Sequence, residues 1–147
     1  MIARPASSLA RVFSKYWMLA IIVLASWATS GCPPTPRLFV YNNAGVPVEF
    51  MTEPSRTMIL SGALLQIGLP NGHYMRANIA GVKVTYYIST FPPEYRKSTY
   101  TGFEDVHLQL EVGGAIYLIR PDEVLPATDL SMQPKGFPLL PSEKGAD

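Results

Sequence analysis

Few residues of this chain have the types and spacing that catalysis or metal binding requires. Two histidines, His73 and His107, lie far apart, and Glu104-Asp105 is an isolated acidic pair. A hydrolytic triad needs a nucleophile, a base and an orienting acid within hydrogen-bond reach. A zinc site needs three or four ligands, and an acidic pair in a loop is usually solvated. The sequence also has no phosphate-binding loop, dinucleotide fingerprint or nucleophile elbow. We therefore expect no catalytic residue, no metal site and no cofactor.

The segment 90–103 concentrates residue types that anchor interfaces. Aromatic residues and arginine dominate the energetics of protein interfaces, and near a membrane tyrosine, arginine and lysine also rest among lipid headgroups. We predict a partner-binding loop here. The alternative is a long crossover between two sheets, whose aromatic rings pack back onto the core. The candidate residues are Phe91, Tyr95, Arg96, Lys97, Tyr100 and Phe103.

Composition and charge limit the class of protein. The 147 residues are 48% hydrophobic and 16% charged, which suits one domain with a buried core. The segment 1–31 carries three basic side chains and no acid, whereas the segment 32–147 carries nine basic and eleven acidic side chains. The later part therefore has no positive excess for nucleic acid to bind. The single cysteine, Cys32, excludes an intrachain disulfide.

The segment 1–31, which Cys32 follows, has the layout of a secretory signal peptide. A basic start is followed by the uncharged run 16–28, YWMLAIIVLASWA, and then by Thr29-Ser30-Gly31-Cys32. The run is shorter than the roughly 20 apolar residues of a spanning helix, and small residues at its end are typical of a cleavage zone. Ordinary secretory cleavage after Ser30 and an uncleaved anchor helix are the two alternatives to the interpretation that follows.

The end of this segment resembles the lipobox of bacterial lipoproteins, where small residues precede a cysteine that becomes the new N-terminus. Ser30 and Gly31 match the two positions before the cysteine, while Thr29 stands where the family usually has an aliphatic residue. The resemblance implies cleavage after Gly31 and attachment to a membrane through acyl chains on Cys32. Residue 33 is Pro33, and in Gram-negative members the absence of aspartate there favours the outer membrane, facing the periplasm, over the inner membrane.

The residues after the cysteine predict a short proline-rich tether at 32–37 and then an all-β domain at 38–120. Apolar and polar residues alternate at 82–89 and at 106–112, the period of a half-buried strand. Ala80-Gly81 is expected to turn the chain before the first of these runs. We predict a small antiparallel β-sandwich or an open barrel. The string 69–74, LPNGHY, resembles a turn of Ig-like and transthyretin-like bacterial modules, which favours a sandwich of one of those two kinds.

Two hairpins and one edge strand are expected. Asn71-Gly72 predicts a hairpin turn, and Pro47, which lacks an N–H, predicts an edge or bulged strand. Gly113-Gly114 predicts a second hairpin, which leaves His107 on the polar face opposite Arg120. With a two-residue loop this hairpin pairs Val112 with Ala115, Leu110 with Tyr117 and Leu108 with Ile119, and leaves Ile116 and Leu118 on the outer face.

A proline-rich tail is predicted at 121–147. Five prolines fall in this stretch, and each removes a backbone donor and fixes φ. We expect the tail to dock through Val124-Leu125 or through residues 137–140, and to be disordered over 142–147.

The sequence thus predicts a lipid-anchored bacterial cell-envelope protein that is not an enzyme. Its role would be structural, in assembly, or in binding, with the membrane and an envelope protein as partners and no nucleic acid. One alternative is a soluble periplasmic or secreted ligand-binding module, whose mature N-terminus would carry no lipid. The second alternative is a small envelope enzyme, with His73 or His107 beside an acid in a cleft.

Overall fold

A computed structural model describes residues 35–52, 54–68, 73–88 and 90–142. This part of the chain contains nine β-strands. The strands lie in two sheets that share one hydrophobic core and do not close into a barrel. The predicted all-β sandwich class is confirmed. The strands are β1 (Thr35–Asn43), β2 (Val48–Thr52), β3 (Ser55–Ile59), β4 (Leu64–Ile67), β5 (Tyr74–Ile79), β6 (Val82–Tyr87), β7 (Arg96–Ser98), β8 (Phe103–Glu111) and β9 (Ile116–Ile119).

Sheet 1 is built around β8. On one side of β8 lie β1 and then β4, and on the other side β7 pairs with its first half and β9 with its second half. The β1–β8 pair is parallel and runs from Thr35 opposite Phe103 to Asn43 opposite Glu111. All other pairs between these strands are antiparallel, including those of sheet 2, which has the order β3-β2-β5-β6. The start of β1 therefore lies beside the start of β8.

Residues that alternate along β1 and β8 decide which side of sheet 1 faces the core. Leu38 and Val40 of β1 are fully buried, whereas Arg37 and Phe39 are partly exposed on the outer face. This is the period of two that a strand imposes on its side chains. From β8 and β9 the core receives Val106, Leu108, Leu110, Ile116 and Leu118, and from sheet 2 it receives Val48, Phe50, Ile59, Met75, Ala77, Val84 and Tyr86.

The β5–β6 hairpin confirms the turn predicted at Ala80-Gly81. Ile79 pairs with Val82, so the loop has two residues. Both have positive φ, 50° for Ala80 and 89° for Gly81. Two positive φ values define a type I′ turn, whose twist matches that of the flanking strands. The turn sequence thus sets this hairpin locally.

The register predicted for the Gly113-Gly114 hairpin was wrong by one residue. The loop spans residues 112–114, because the Glu111 N–H donates to the Ala115 carbonyl at 2.9 Å. Leu110 consequently pairs with Ile116 and not with Tyr117. His107 likewise lies opposite Ile119 and not opposite Arg120.

This one-residue difference exchanges the faces of β9. Ile116 and Leu118, expected outside, are 0% and 1% exposed, whereas Val112, expected inside, is 76% exposed. A slip of one residue turns every side chain of a strand to the opposite face. The observed register buries two aliphatic side chains and leaves Tyr117, with its hydroxyl, partly exposed.

The hairpin predicted at Asn71-Gly72 was also wrong. The strand before this turn, β4, pairs with β1 in sheet 1, and the strand after it, β5, pairs with β2 and β6 in sheet 2. The chain therefore crosses between sheets here, and residues 69–72 themselves lie outside the described residues.

Two proline-based expectations need correction. Pro47 precedes β2, which begins at Val48 and has β3 on one side and β5 on the other. The strand is therefore central. Pro47 permits this, because it lies just before the strand and so removes no hydrogen bond from the ladder.

The first strand starts earlier than predicted. β1 begins at Thr35, so residues 35–37, expected in the tether, belong to the sandwich.

The tail docks through the second of its two predicted segments. Phe137 and Leu139 are buried, whereas Val124 is exposed. Leu139 forms a bridge with Ile116 of β9, and Ser142 forms one with Thr85 of β6. The tail thus lies along the outer strand of each sheet on one side of the sandwich. Of the region predicted to be disordered, 142–147, only Ser142 is among the described residues.

Candidate functional site

The predicted anchor lies outside the described residues. Gly31 and Cys32 belong to the segment 1–34, whose structure is not described, so cleavage and acylation remain predictions. In the part of the chain that the structure does describe, no helix has the length and hydropathy needed to cross a membrane.

The segment 90–103 has more structure than a free loop. It contains a short 3-10 helix, Pro93–Tyr95, and β7. Tyr95 is buried, and Phe91 packs against the core with its ring centroid 6.1 Å from that of Phe137. These two rings therefore pack back onto the core, as expected for the alternative of a crossover between the sheets.

Arg96 holds this segment in place. Its Nε donates to the Phe91 carbonyl at 2.9 Å, and its Nη1 lies 3.2 Å from Oε2 of Glu104. Of the six candidate residues, Lys97, Tyr100 and Phe103 keep an exposed surface, with Tyr100 wholly in solvent. The structure therefore divides the predicted site into a packed half and an exposed half.

The exposed half continues into a ladder across the outer face of β1 and β8. Arg37 lies opposite Asp105, with Nη2 2.6 Å and Nε 2.7 Å from the same carboxylate oxygen. The guanidinium carbon lies 5.0 Å from the ring centroid of Phe103 and 5.7 Å from that of Phe39, distances at which a cation is attracted to a ring. We call Arg37, Phe39, Phe103, Asp105 and His107 the outer ladder.

His107 closes the outer ladder. Its ring meets the ring of Phe39 edge-on, with centroids 5.4 Å apart and an interplanar angle of 74°. Burial lowers the pKa of His107 below its ordinary value, and nearby Asp105 opposes this by favouring the charged imidazolium. The neighbouring carboxylate is already bound to Arg37. The orientation of the His107 ring is therefore set by its packing against Phe39.

No metal centre is formed by the residues that the structure describes. No three histidine, cysteine or acidic side chains among them come together as a group that could hold an ion. His73 is exposed before β5, with its carbonyl bound to the Ile88 N–H. Glu104 and Asp105 lie on opposite faces of β8, as adjacent strand residues must, and each is paired with an arginine.

Two glutamine side chains fasten the tail to sheet 1. The Gln109 amide accepts from the Ala127 N–H at 2.7 Å and donates to the Ala127 carbonyl at 2.9 Å. Gln133 makes the same pair of bonds with the backbone of Leu118, at 2.9 and 3.2 Å. Each side-chain amide thus makes the pair of backbone hydrogen bonds that a neighbouring strand would make. Gln109 is fully buried, so this attachment is shielded from water.

An apolar groove lies at the other end of the sandwich, where β1 and β8 finish. Its volume is about 260 Å³. The Tyr86 hydroxyl donates to the carbonyl of Gly114, one of the lining residues, at 2.7 Å, and burial raises the pKa of this tyrosine. The groove is lined by Ala44, Ile79, Val82, Val84, Gly113, Gly114 and Pro141.

Arg37 and Phe39 were not among the predicted site residues, because Arg37 was expected in the tether and Phe39 only as part of the β domain. A usable signal was present: from residue 37 to residue 41 polar or aromatic residues alternate with Leu38 and Val40. No local signal shows that β1 pairs with β8, because partners such as Arg37 and Asp105 are 68 residues apart in the chain.

No protein-family model matches the chain, and neither a curated protein nor a solved structure is significantly similar to it.

Proposed function

We propose that the protein is a bacterial cell-envelope lipoprotein, in which acyl chains on Cys32 hold a non-enzymatic β-sandwich at a membrane as an assembly or binding accessory. The observation that carries the proposal is the position of the only cysteine. It follows Ser30-Gly31 directly after an uncharged run that itself follows a basic start. The chemistry of lipid attachment needs a thiol at this place.

The start of the fold supports this arrangement. Only Pro33 and Pro34 separate Cys32 from the first residue of β1, Thr35. An extended chain covers at most about 3.5 Å per residue, so an acylated Cys32 would keep the sandwich close to the membrane surface. Two or more acyl chains give stable attachment, because each buried CH₂ contributes about 0.8 kcal/mol. Pro33, in place of aspartate, favours the outer membrane.

The contacts of the outer ladder favour a non-enzymatic role. A catalytic histidine needs an acid free to orient it and a nucleophile within reach. Asp105 instead binds Arg37, and the His107 ring packs against Phe39. Because Asp105 and His107 already contact Arg37 and Phe39, their arrangement differs from the one that catalysis needs.

The decisive experiment is the intact mass of the membrane-extracted protein, measured beside a Cys32→Ala variant. We expect a mature chain that begins at residue 32 and is heavier by a diacylglyceryl group, with or without a third acyl chain. Growth with labelled palmitate should label the wild type only. The variant should keep its N-terminal segment and carry no lipid.

An unlipidated wild-type chain cut after Ser30 would overturn the proposal and favour a soluble binding module. An unlipidated, uncut chain would favour an anchor helix. Comparing circular dichroism of the wild type and the variant separates a loss of lipid from a loss of fold, since Cys32 precedes the first strand.

A further inference from the structure

A turn with a fully exposed tyrosine lies at one end of sheet 1. Residues 99–102 join β7 to β8, and Tyr100 has no part of its side chain shielded. Thr99 fixes this turn: its N–H and its hydroxyl both lie 2.9 Å from the Phe103 carbonyl. The Gly102 N–H donates to the Thr99 carbonyl at 3.2 Å. The tyrosine is thus held out in solvent by an internally bonded turn.

This turn lies at the end of the sandwich where the chain enters it. Because β1 and β8 are parallel, Thr35 lies directly opposite Phe103, the first residue after the turn. Cys32 is three residues before Thr35, a stretch that spans at most about 10 Å. An acylated Cys32 would therefore hold this end of the sandwich near the membrane.

The chemistry of this end suits a lipid surface. Tyrosine favours the boundary between acyl chains and headgroups, because its ring is apolar and its hydroxyl is wet. Lys97, on the strand leading into the turn, is exposed, and lysine is attracted to anionic headgroups. The nearby carboxylates of Glu104 and Asp105 are each paired with an arginine, which reduces their repulsion from an anionic membrane.

We propose that this end of the sandwich rests on the membrane, with Tyr100 in the interfacial layer as a second contact beside the acyl chains. The inference rests on the proposed acylation of Cys32. This contact would fix the orientation of the domain. β8 would run away from the bilayer, and the apolar groove at the far end of β8 would face away from the membrane. The nine residues of β8 span about 30 Å, so the two ends experience different surroundings.

Tryptophan fluorescence can read this orientation in the lipidated full chain. Both native tryptophans, Trp17 and Trp27, precede Cys32, so the mature protein has none. A Tyr100→Trp variant places a single reporter at the near end, and Val112→Trp, at a position that is also largely exposed, places one at the far end. Each is reconstituted into vesicles of phosphatidylethanolamine and phosphatidylglycerol, with and without bromine on the acyl chains.

We expect the Tyr100→Trp emission to shift to shorter wavelength in vesicles and to lose intensity when the lipids are brominated. The Val112→Trp emission should show neither change. Intact mass of each reconstituted sample establishes that the acyl chains are present.

Acylated protein whose Tyr100→Trp emission is no more quenched than that of Val112→Trp would overturn this inference and leave the lipoprotein proposal standing. Stronger quenching at Val112 would show that the domain has the opposite orientation. Protein without acyl chains would overturn the proposed function, and this inference with it.

Discussion

Arg37 and Asp105 meet across the parallel β1–β8 ladder, with two guanidinium nitrogens 2.6 and 2.7 Å from one carboxylate oxygen. They are 68 residues apart in sequence. Their side chains are 29% and 16% exposed, and aromatic rings lie on the arginine from β1 and from β8. The pair therefore ties β1, the first strand of the domain, to β8, which lies late in the chain.

A double-mutant cycle should detect this pair. Arg37→Ala, Asp105→Ala and the double variant should give a coupling free energy of about 1 kcal/mol in urea unfolding, because partial burial and two short bonds raise it above an exposed pair. Arg56 and Glu49, 4.0 Å apart with side chains 73% and 27% exposed, are the matched control. Equal coupling in both cycles would contradict this prediction.

Gln109→Ala should release the tail. The change leaves the buried N–H and carbonyl of Ala127 without partners, which costs about 2 kcal/mol of unfolding free energy. Hydrogen exchange of residues 121–142 should accelerate more than that of β8. Gln66→Ala, on an exposed position of β4, is the control and should change neither quantity. Unchanged exchange in the tail of the Gln109 variant would contradict the role of this side chain.

Gly68→Ala should destabilise the fold through one contact. A Cβ at Gly68 would lie 2.7 Å from Oγ1 of Thr52, and such overpacking costs about 1–3 kcal/mol. The Thr52 hydroxyl is buried and has no hydrogen-bond partner among the described residues, so Thr52→Ala removes the obstacle at little polar cost. We expect the double variant to regain much of the stability in thermal unfolding. Additive losses would show that the strain arises elsewhere.

His107 should make stability depend on pH. Burial lowers its pKa in the folded protein below the ordinary value of 6.5, so the unfolded chain binds the proton first as pH falls. Stability should therefore be unaffected by this group well above pH 6.5 and should decrease as pH falls below that value toward the folded pKa. His107→Gln should flatten this part of the curve in urea titrations. His73→Gln, at an exposed histidine, is the control. Identical slopes in the wild type and the His107 variant would refute the assignment.

In the segment 90–103, residue types alone do not distinguish side chains that pack inward from side chains that are exposed. Composition located the segment 90–103, yet it did not separate Phe91 and Tyr95, which pack inward, from Lys97 and Tyr100, which are exposed. The separation depends on the helix turn at 93–95 and on the pairing of β7 with β8. The same residue types serve a core and an interface, so their sequence could not decide between the two.

The sequence by itself determined the features that are local. Alternation predicted the strands β6 and β8, and Ala80-Gly81 predicted a tight turn, because strand period and positive φ are properties of neighbouring residues. The expectation for Cys32 likewise depends only on its immediate neighbours.

The tertiary structure alone decided which strands are partners and in which register. The β1–β8 pairing, the crossover after β4 and the one-residue shift before β9 each join or separate residues whose local patterns fit several pairings. The choice among them is made by burial: Ile116 and Leu118 enter the core, and Gln109 binds the tail. Those surfaces exist only once both sheets and the tail are assembled, so no single stretch of sequence contains them.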